Sequence, residues 1–151
     1  MSRPISSFIV RFTAGLLLVM LSSLALARVP LGSSVPDQVR GKISGPYWLA
    51  FYTRSCLEPK LLERQWESLR ASKLEVLAVN PVEKGNVAAP IPKDFLGLTG
   101  ADALELSRSL KVKTYPTTVL VDANNVIRVA LEGPITPEQV RESLNLLPAT
   151  P

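Results

Sequence analysis

Cys56 is the single cysteine of this 151-residue chain, and the chain has no histidine. It stands in Phe51-Tyr52-Thr53-Arg54-Ser55-Cys56-Leu57-Glu58-Pro59-Lys60, after an apolar run and before an amphipathic one. A thiol at a strand-to-helix junction can be a nucleophile, because the free N–H groups and positive dipole end of a helix favour the thiolate. One sulfur limits that chemistry. It cannot close an intramolecular disulfide or build a cysteine-rich zinc site. Without histidine there is no imidazole base, no Ser-His or Cys-His pair and no imidazole metal ligand. No metal or organic cofactor site is visible. The bland alternative is a small inert residue at a strand end, since free cysteine is among the most buried residue types.

Two helix starts compete around the thiol. In one, Ser55 is the N-cap, Glu58 completes a capping box and Cys56 takes the first helical position. In the other, Glu58 flanks the helix and Pro59 opens it, a position that proline favours. The second leaves Cys56 in a turn. Pro59 bears on the choice, because four residues after a Ser55 cap it would remove the first intrahelical hydrogen bond. Arg54 and Lys60 favour a thiolate and Glu58 opposes it, so local charge decides little.

The elements that must position Cys56 follow from hydrophobic periodicity. Residues 47–52 form a continuous apolar and aromatic run, the pattern of a strand buried on both faces. Leu62, Trp66 and Leu69 recur at i, i+4 and i+7, a helical stripe over residues 59–71. Residues 74–79 read as a second buried strand, and strand, helix, strand over this length is a parallel βαβ unit. Residues 80–93 hold three prolines and read as a loop. A short strand is expected over residues 95–98. A helix capped by Thr99 should follow to about residue 110, with Ala103, Leu106 and Leu110 inward.

Residues 117–122 read as a strand, and Ala123-Asn124-Asn125 is turn chemistry, since asparagine tolerates positive φ. The outer strand, 126–131, is expected to place Ile127, Val129 and Leu131 on one face and Arg128 on the other. Thr136-Pro137-Glu138-Gln139 combines an N-cap, a proline at the first helical position and a capping-box glutamine. Val140, Leu144 and Leu147 line the last helix. Trp48 and Trp66 belong to the core. Together this is an α/β fold, a mixed central β-sheet with helices on both faces.

Residues 1–27 read as a signal peptide or N-terminal anchor. Arg3 and Arg11 supply the positive region, residues 12–21 begin the apolar region and Ala25-Leu26-Ala27 is a cleavage site. The apolar run is short for a membrane span. Cleavage is the expectation, with an uncleaved anchor the alternative. The domain then faces an exported, periplasmic or extracytoplasmic space, where an unpaired thiol is unusual. The formal charge is +4, from 17 basic and 13 acidic residues; setting aside Arg3 and Arg11 leaves 15 against 13, or +2. With no basic run, nucleic acid is not an expected partner, and membrane contact is expected only through an uncleaved N-terminal segment. Residues 28–45, rich in Gly, Pro and Ser, read as a linker ahead of a domain over 46–148.

The order of elements and two motifs resemble the thioredoxin-like superfamily, closest to the exported TlpA-like proteins of cytochrome c maturation. Phe51-Tyr52-Thr53-Arg54-Ser55-Cys56 stands against that group's Phe-Trp-Ala-x-Trp-Cys pattern. Tyr115-Pro116-Thr117-Thr118-Val119-Leu120-Val121-Asp122 stands against Val-Pro-Thr-Thr-Phe-Leu-Ile-Asp, and Val79-Asn80 matches the end of the second strand. The departures are Pro59 where the second cysteine belongs, Ser55 where a tryptophan belongs, and a shorter segment before the first strand. The active site is therefore degenerate, Cys-x-x-Pro. The resemblance implies a thioredoxin-like fold over residues 46–148, Cys56 as candidate nucleophile, and a cis Tyr115–Pro116 peptide facing it. It also implies that Tyr115, Pro116 and Thr117 bind an extended substrate, and it favours Ser55 as the cap.

The expected function is that of an exported thiol-disulfide oxidoreductase working with one sulfur through a mixed disulfide. The alternative is a redox-silent thioredoxin-fold module that binds an extended segment of an exported partner beside Pro116. The partner is an exported protein carrying a thiol or disulfide, or such a segment alone. A weaker third reading, a one-cysteine peroxidase, rests on Thr53-Arg54-Ser55-Cys56. That pattern starts with a proline where this chain has Leu49.

Overall fold

Tyr47, Leu49 and Phe51 face one side of the first strand and Trp48 and Ala50 the other, so this strand can only lie at the centre of a sheet covered on both faces. The computed structural model describes residues 28–82 and 87–149; the export segment expected over residues 1–27 lies outside the described residues. The strands are β1 (Tyr47–Phe51), β2 (Glu75–Asn80), β3 (Leu96–Thr99), β4 (Thr117–Val121) and β5 (Ile127–Glu132), in the order β3-β2-β1-β4-β5. β1, β2 and β3 are mutually parallel, whereas β4 runs antiparallel to both β1 and β5. The third strand begins and ends one residue later than its sequence pattern suggests, at Leu96 and Thr99.

The helices are α1 (Pro59–Ala71), α2 (Gly100–Ser109) and α3 (Pro137–Leu144). α1 and α3 cover one face of the sheet through Trp66, Leu69 and Val140, packed with Trp48, Ala50 and Leu120. α2 covers the other through Ala103 and Leu106, packed with Leu49, Phe51 and Val119. The Trp48 indole N–H donates to Ser72 Oγ at 3.1 Å, which satisfies the one polar atom of a fully buried ring. Gln65 and Thr118 are also buried, and neither Gln65 amide atom nor Thr118 Oγ1 has a partner among the described residues.

The N-caps of α3 and α2 differ. At α3, Thr136 Oγ1 accepts from the Gln139 amide at 3.2 Å and Gln139 Oε1 accepts from the Thr136 amide at 2.9 Å, with Pro137 at the first position. Thr99 stands at the N-cap of α2, but its side chain makes no capping bond. α1 and α2 are each followed closely by a lysine in the left-handed region, Lys73 at φ 59° and Lys111 at φ 56°.

Two expectations are corrected. Residues 28–45 are built into the domain and are not a loose linker. Val29, Val35, Val39 and Ile43 join the core beneath α2's face of the sheet, and Ser34 bridges Val126. Composition misled here because the turn-forming residues space out four apolar anchors. In β5 the alternation breaks. Leu120 pairs with Val129 and Val121 with Ile127, so Arg128 is a bulge residue, and Ile127 faces one core while Val129 and Leu131 face the other. Asp122 explains the bulge: its carboxylate accepts from the Asn124 amide at 2.8 Å, the Val126 amide at 3.0 Å and Arg128 Nε at 2.6 Å.

Burial pushes both Tyr47 and Tyr52 up to about 12. An acid that keeps its proton longer when folded leaves stability unchanged below the unfolded pKa, near 10, and erodes it above, as the unfolded chain ionises first. Urea unfolding followed by circular dichroism should therefore show no loss of stability from these tyrosines between about pH 6 and 10 and a steady fall between about 10 and 12. A Tyr52→Phe variant should show a shallower fall.

Candidate functional site

Phe51, the last residue of β1, pairs with Thr117, the first of β4. This antiparallel register places the loop that leaves β1, with Cys56, and the loop that enters β4, with Pro116, at one end of the sheet. Cys56 is half-buried and packs against the core shared by Trp48, Tyr52 and Trp66. Its N–H donates to the Thr53 carbonyl at 3.3 Å, a turn bond. Helix α1 begins only at Pro59, with Glu58 as N-cap and no side-chain cap. Of the two starts open to the sequence, the proline-led one is realised and the Ser55 cap is not. The missing N–H of Pro59 decides it, since that bond would have anchored the earlier start. Cys56 therefore lies outside the helix, in the bend that precedes its N-cap.

The Tyr115–Pro116 peptide is cis, and Pro116 is buried. The Pro116 carbonyl accepts from Gly133 N–H at 2.8 Å, which ties the β4 entry to the end of β5. The backbone N–H and C=O of Tyr115 carry no hydrogen bond among the described residues. Neither group is therefore spent on a turn or on the sheet. The Tyr115 side chain is turned elsewhere: its hydroxyl lies 2.6 Å from Ser107 Oγ on α2, and its ring packs on that side of the sheet. Thr117 is buried, and its hydroxyl donates to the Thr114 carbonyl at 2.8 Å. Thr117 thus holds the loop and presents no side chain to a substrate. Of the residues expected to contact substrate, Tyr115 offers only backbone.

The loop after β2 forms the third wall, and the sequence reading gave it no role. Asn80 Nδ2 donates to the Tyr52 carbonyl at 2.7 Å, and Ala89 N–H donates to Asn80 Oδ1 at 2.8 Å. The Tyr52 hydroxyl donates to the Pro90 carbonyl at 2.9 Å. Burial, and then the nearby Cys56 sulfur when ionised, raise the Tyr52 pKa. The signal that could have found Asn80 is a side-chain amide closing an otherwise apolar strand, where burial demands partners. Tyr52, Trp66 and Phe95 stack edge to face, with centroids 4.9 Å and 5.6 Å apart. Arg70 covers Phe95 at 5.2 Å and is held by Asp94, with Nε–Oδ2 at 2.7 Å.

No protein-family model and no curated protein matches the sequence. Solved structures do match. The exposed lipoprotein thioredoxin Etrx1 of Streptococcus pneumoniae aligns with a TM-score of 0.53 at 16% identity, over 69% of this chain and 86% of that one. DsbF of Mycobacterium tuberculosis aligns with a TM-score of 0.52 at 18% identity, over 75% of this chain and 99% of that one. StoA of Bacillus subtilis aligns with a TM-score of 0.50 at 21% identity, over 67% of this chain and 83% of that one. The chain has a thioredoxin-like fold. Its site departs from a dithiol: Pro59 stands three residues after the only cysteine.

Proposed function

We propose that this is an exported thioredoxin-like protein that captures an extended segment of a partner at the Cys56–Pro116 end of the sheet and exchanges disulfides through Cys56 alone. The observation that carries this reading is the Tyr115 backbone, without a hydrogen bond among the described residues, at the end of the sheet where the half-buried thiol sits. The partner strand adds its main chain beside Tyr115. The Cys56 thiolate attacks one sulfur of the partner's disulfide. A new S–S bond forms to Cys56, the partner's own S–S bond breaks, and the departing partner thiolate takes up a proton. An external thiol then attacks the mixed disulfide and returns Cys56 to its reduced form.

The test is the second-order rate with oxidised glutathione, followed by mass spectrometry on folded and urea-unfolded protein. A folded protein that forms the Cys56 adduct at least as fast as the unfolded chain supports exchange. A thiol that reacts only after unfolding overturns it. A second reading, a redox-silent binding module, draws on the start of α1 at Pro59, which leaves Cys56 outside the helix. In that case a Cys56→Ser variant should bind the partner as tightly as the native chain.

A further inference from the structure

Beside the Cys56 loop runs a half-open groove of about 420 Å³. Leu57, Leu62 and Trp66 form one side, and Pro90 and Ile91 form the other. It reaches from the loop before α1 to Arg70 near the helix end, and eleven helical steps make it roughly 16 Å long. An extended chain covers that length with about five residues. The walls are fixed before anything binds. The Tyr52 hydroxyl holds the Pro90 carbonyl, Asn80 holds Ala89, and Trp66 is stacked between Tyr52 and Phe95. Ile91 is seated over Gly97, where a Cβ would collide with its Cδ1. Preorganised walls reduce the ordering cost of binding.

The charges along the groove are uneven. At the far end Arg70 is already neutralised, with Asp94 at 2.7 Å and Glu63 at 3.4 Å. At the Cys56 end Arg54 is exposed and has no ion pair or hydrogen bond among the described residues. Glu58 does not line the groove, and among the described residues Glu63 is the one carboxylate that does. Among the described residues, the groove therefore presents an apolar floor with Arg54 as its one unpaired positive charge beside the thiol loop.

We propose that this groove seats an extended partner segment in which a large apolar side chain neighbours a carboxylate, the side chain entering between Leu62 and Ile91 and the carboxylate facing Arg54. The inference rests on the reading of the Cys56 end as the partner-facing end, and it gives that partner its chemistry. It does not require the sulfur to react.

The test uses the full chain carrying Cys56→Ser, so that thiol chemistry cannot contribute. Fluorescence anisotropy compares a fluorescein-labelled Gly-Gly-Phe-Glu-Gly-Gly peptide with one carrying lysine for glutamate and one carrying alanine for phenylalanine. The first is expected to bind about fivefold tighter than the lysine peptide, the effect of one partly exposed ion pair. The alanine peptide should bind more weakly still. Arg54→Glu, an exposed change that leaves the fold intact, should reverse the order of the acidic and lysine peptides. Equal binding of all three peptides, no binding, or an order unchanged by Arg54→Glu overturns the proposal. The glutathione experiment reads the thiol separately, so the failure of one reading is distinct from the failure of the other.

Discussion

Asp122→Ala is expected to lower the unfolding free energy by roughly 2–4 kcal/mol, because it removes an ionised acceptor serving three donors inside the β4–β5 hairpin. The side chain is 1% exposed and bonds the Asn124 and Val126 amides and Arg128. Asp122→Asn keeps an oxygen for the two amides but loses the charge opposite Arg128, so it should cost about half as much. Burial works against the ionised form. The Val126 amide, Arg128 and the Asn124 amide outweigh it and hold the carboxyl below its usual range. A depressed carboxyl contributes its stability above the unfolded pKa, about 3.9, and loses it as pH falls through the folded value. The gap between native and Asp122→Ala should thus be full at pH 6 and close as the solution is made more acid than about pH 4. Urea titrations across that range measure it. A gap that persists unchanged into strong acid would show that the carboxylate charge is not what holds the bulge.

The second large effect is on the thiol. Pro59→Ala restores the N–H whose absence excludes the earlier helix start, so Ser55 and Glu58 can form their capping box and Cys56 can enter the first turn. The thiolate gains the dipole end of α1, worth up to about 1 kcal/mol. Iodoacetamide labelling of the folded protein at pH 7 should accordingly run about fivefold faster than in the native chain. A Pro59→Ala,Ser55→Ala double variant should lose most of that gain, because it removes the cap. If Pro59→Ala labels no faster, the turn at Cys56 is held by something other than the proline.

Much of the scaffold was legible because burial imposes strict periods. The run from Tyr47 to Phe51 is buried at every position, and Leu62, Trp66 and Leu69 mark the inner stripe of α1. The α3 capping box is visible as four letters, since its chemistry is local. The misreadings share a cause: each depends on contacts distant in sequence or on backbone states that side chains do not announce. Lys73 and Lys111 take the left-handed conformation usually filled by glycine. The bulge at Arg128 follows from Asp122, six residues earlier, and it inverts the expected faces of β5. At the site, Cys56 and the cis Tyr115–Pro116 peptide were readable through resemblance. The inward turn of Tyr115 toward Ser107 and the burial of Thr117 were not, because both depend on α2 and the Thr114 loop.

The pairing of Ser34 with Val126 also sets the posture of the molecule. It brings the chain into the sheet at the hairpin end, while the sulfur sits at the opposite end, about 17 Å away along five strand residues. From Val35, whose N–H donates to the Asn125 carbonyl, to Gly32, whose N–H donates to the Ile127 carbonyl, the chain covers the start of β5, the outermost strand, and closes that stretch of sheet edge to pairing with another chain.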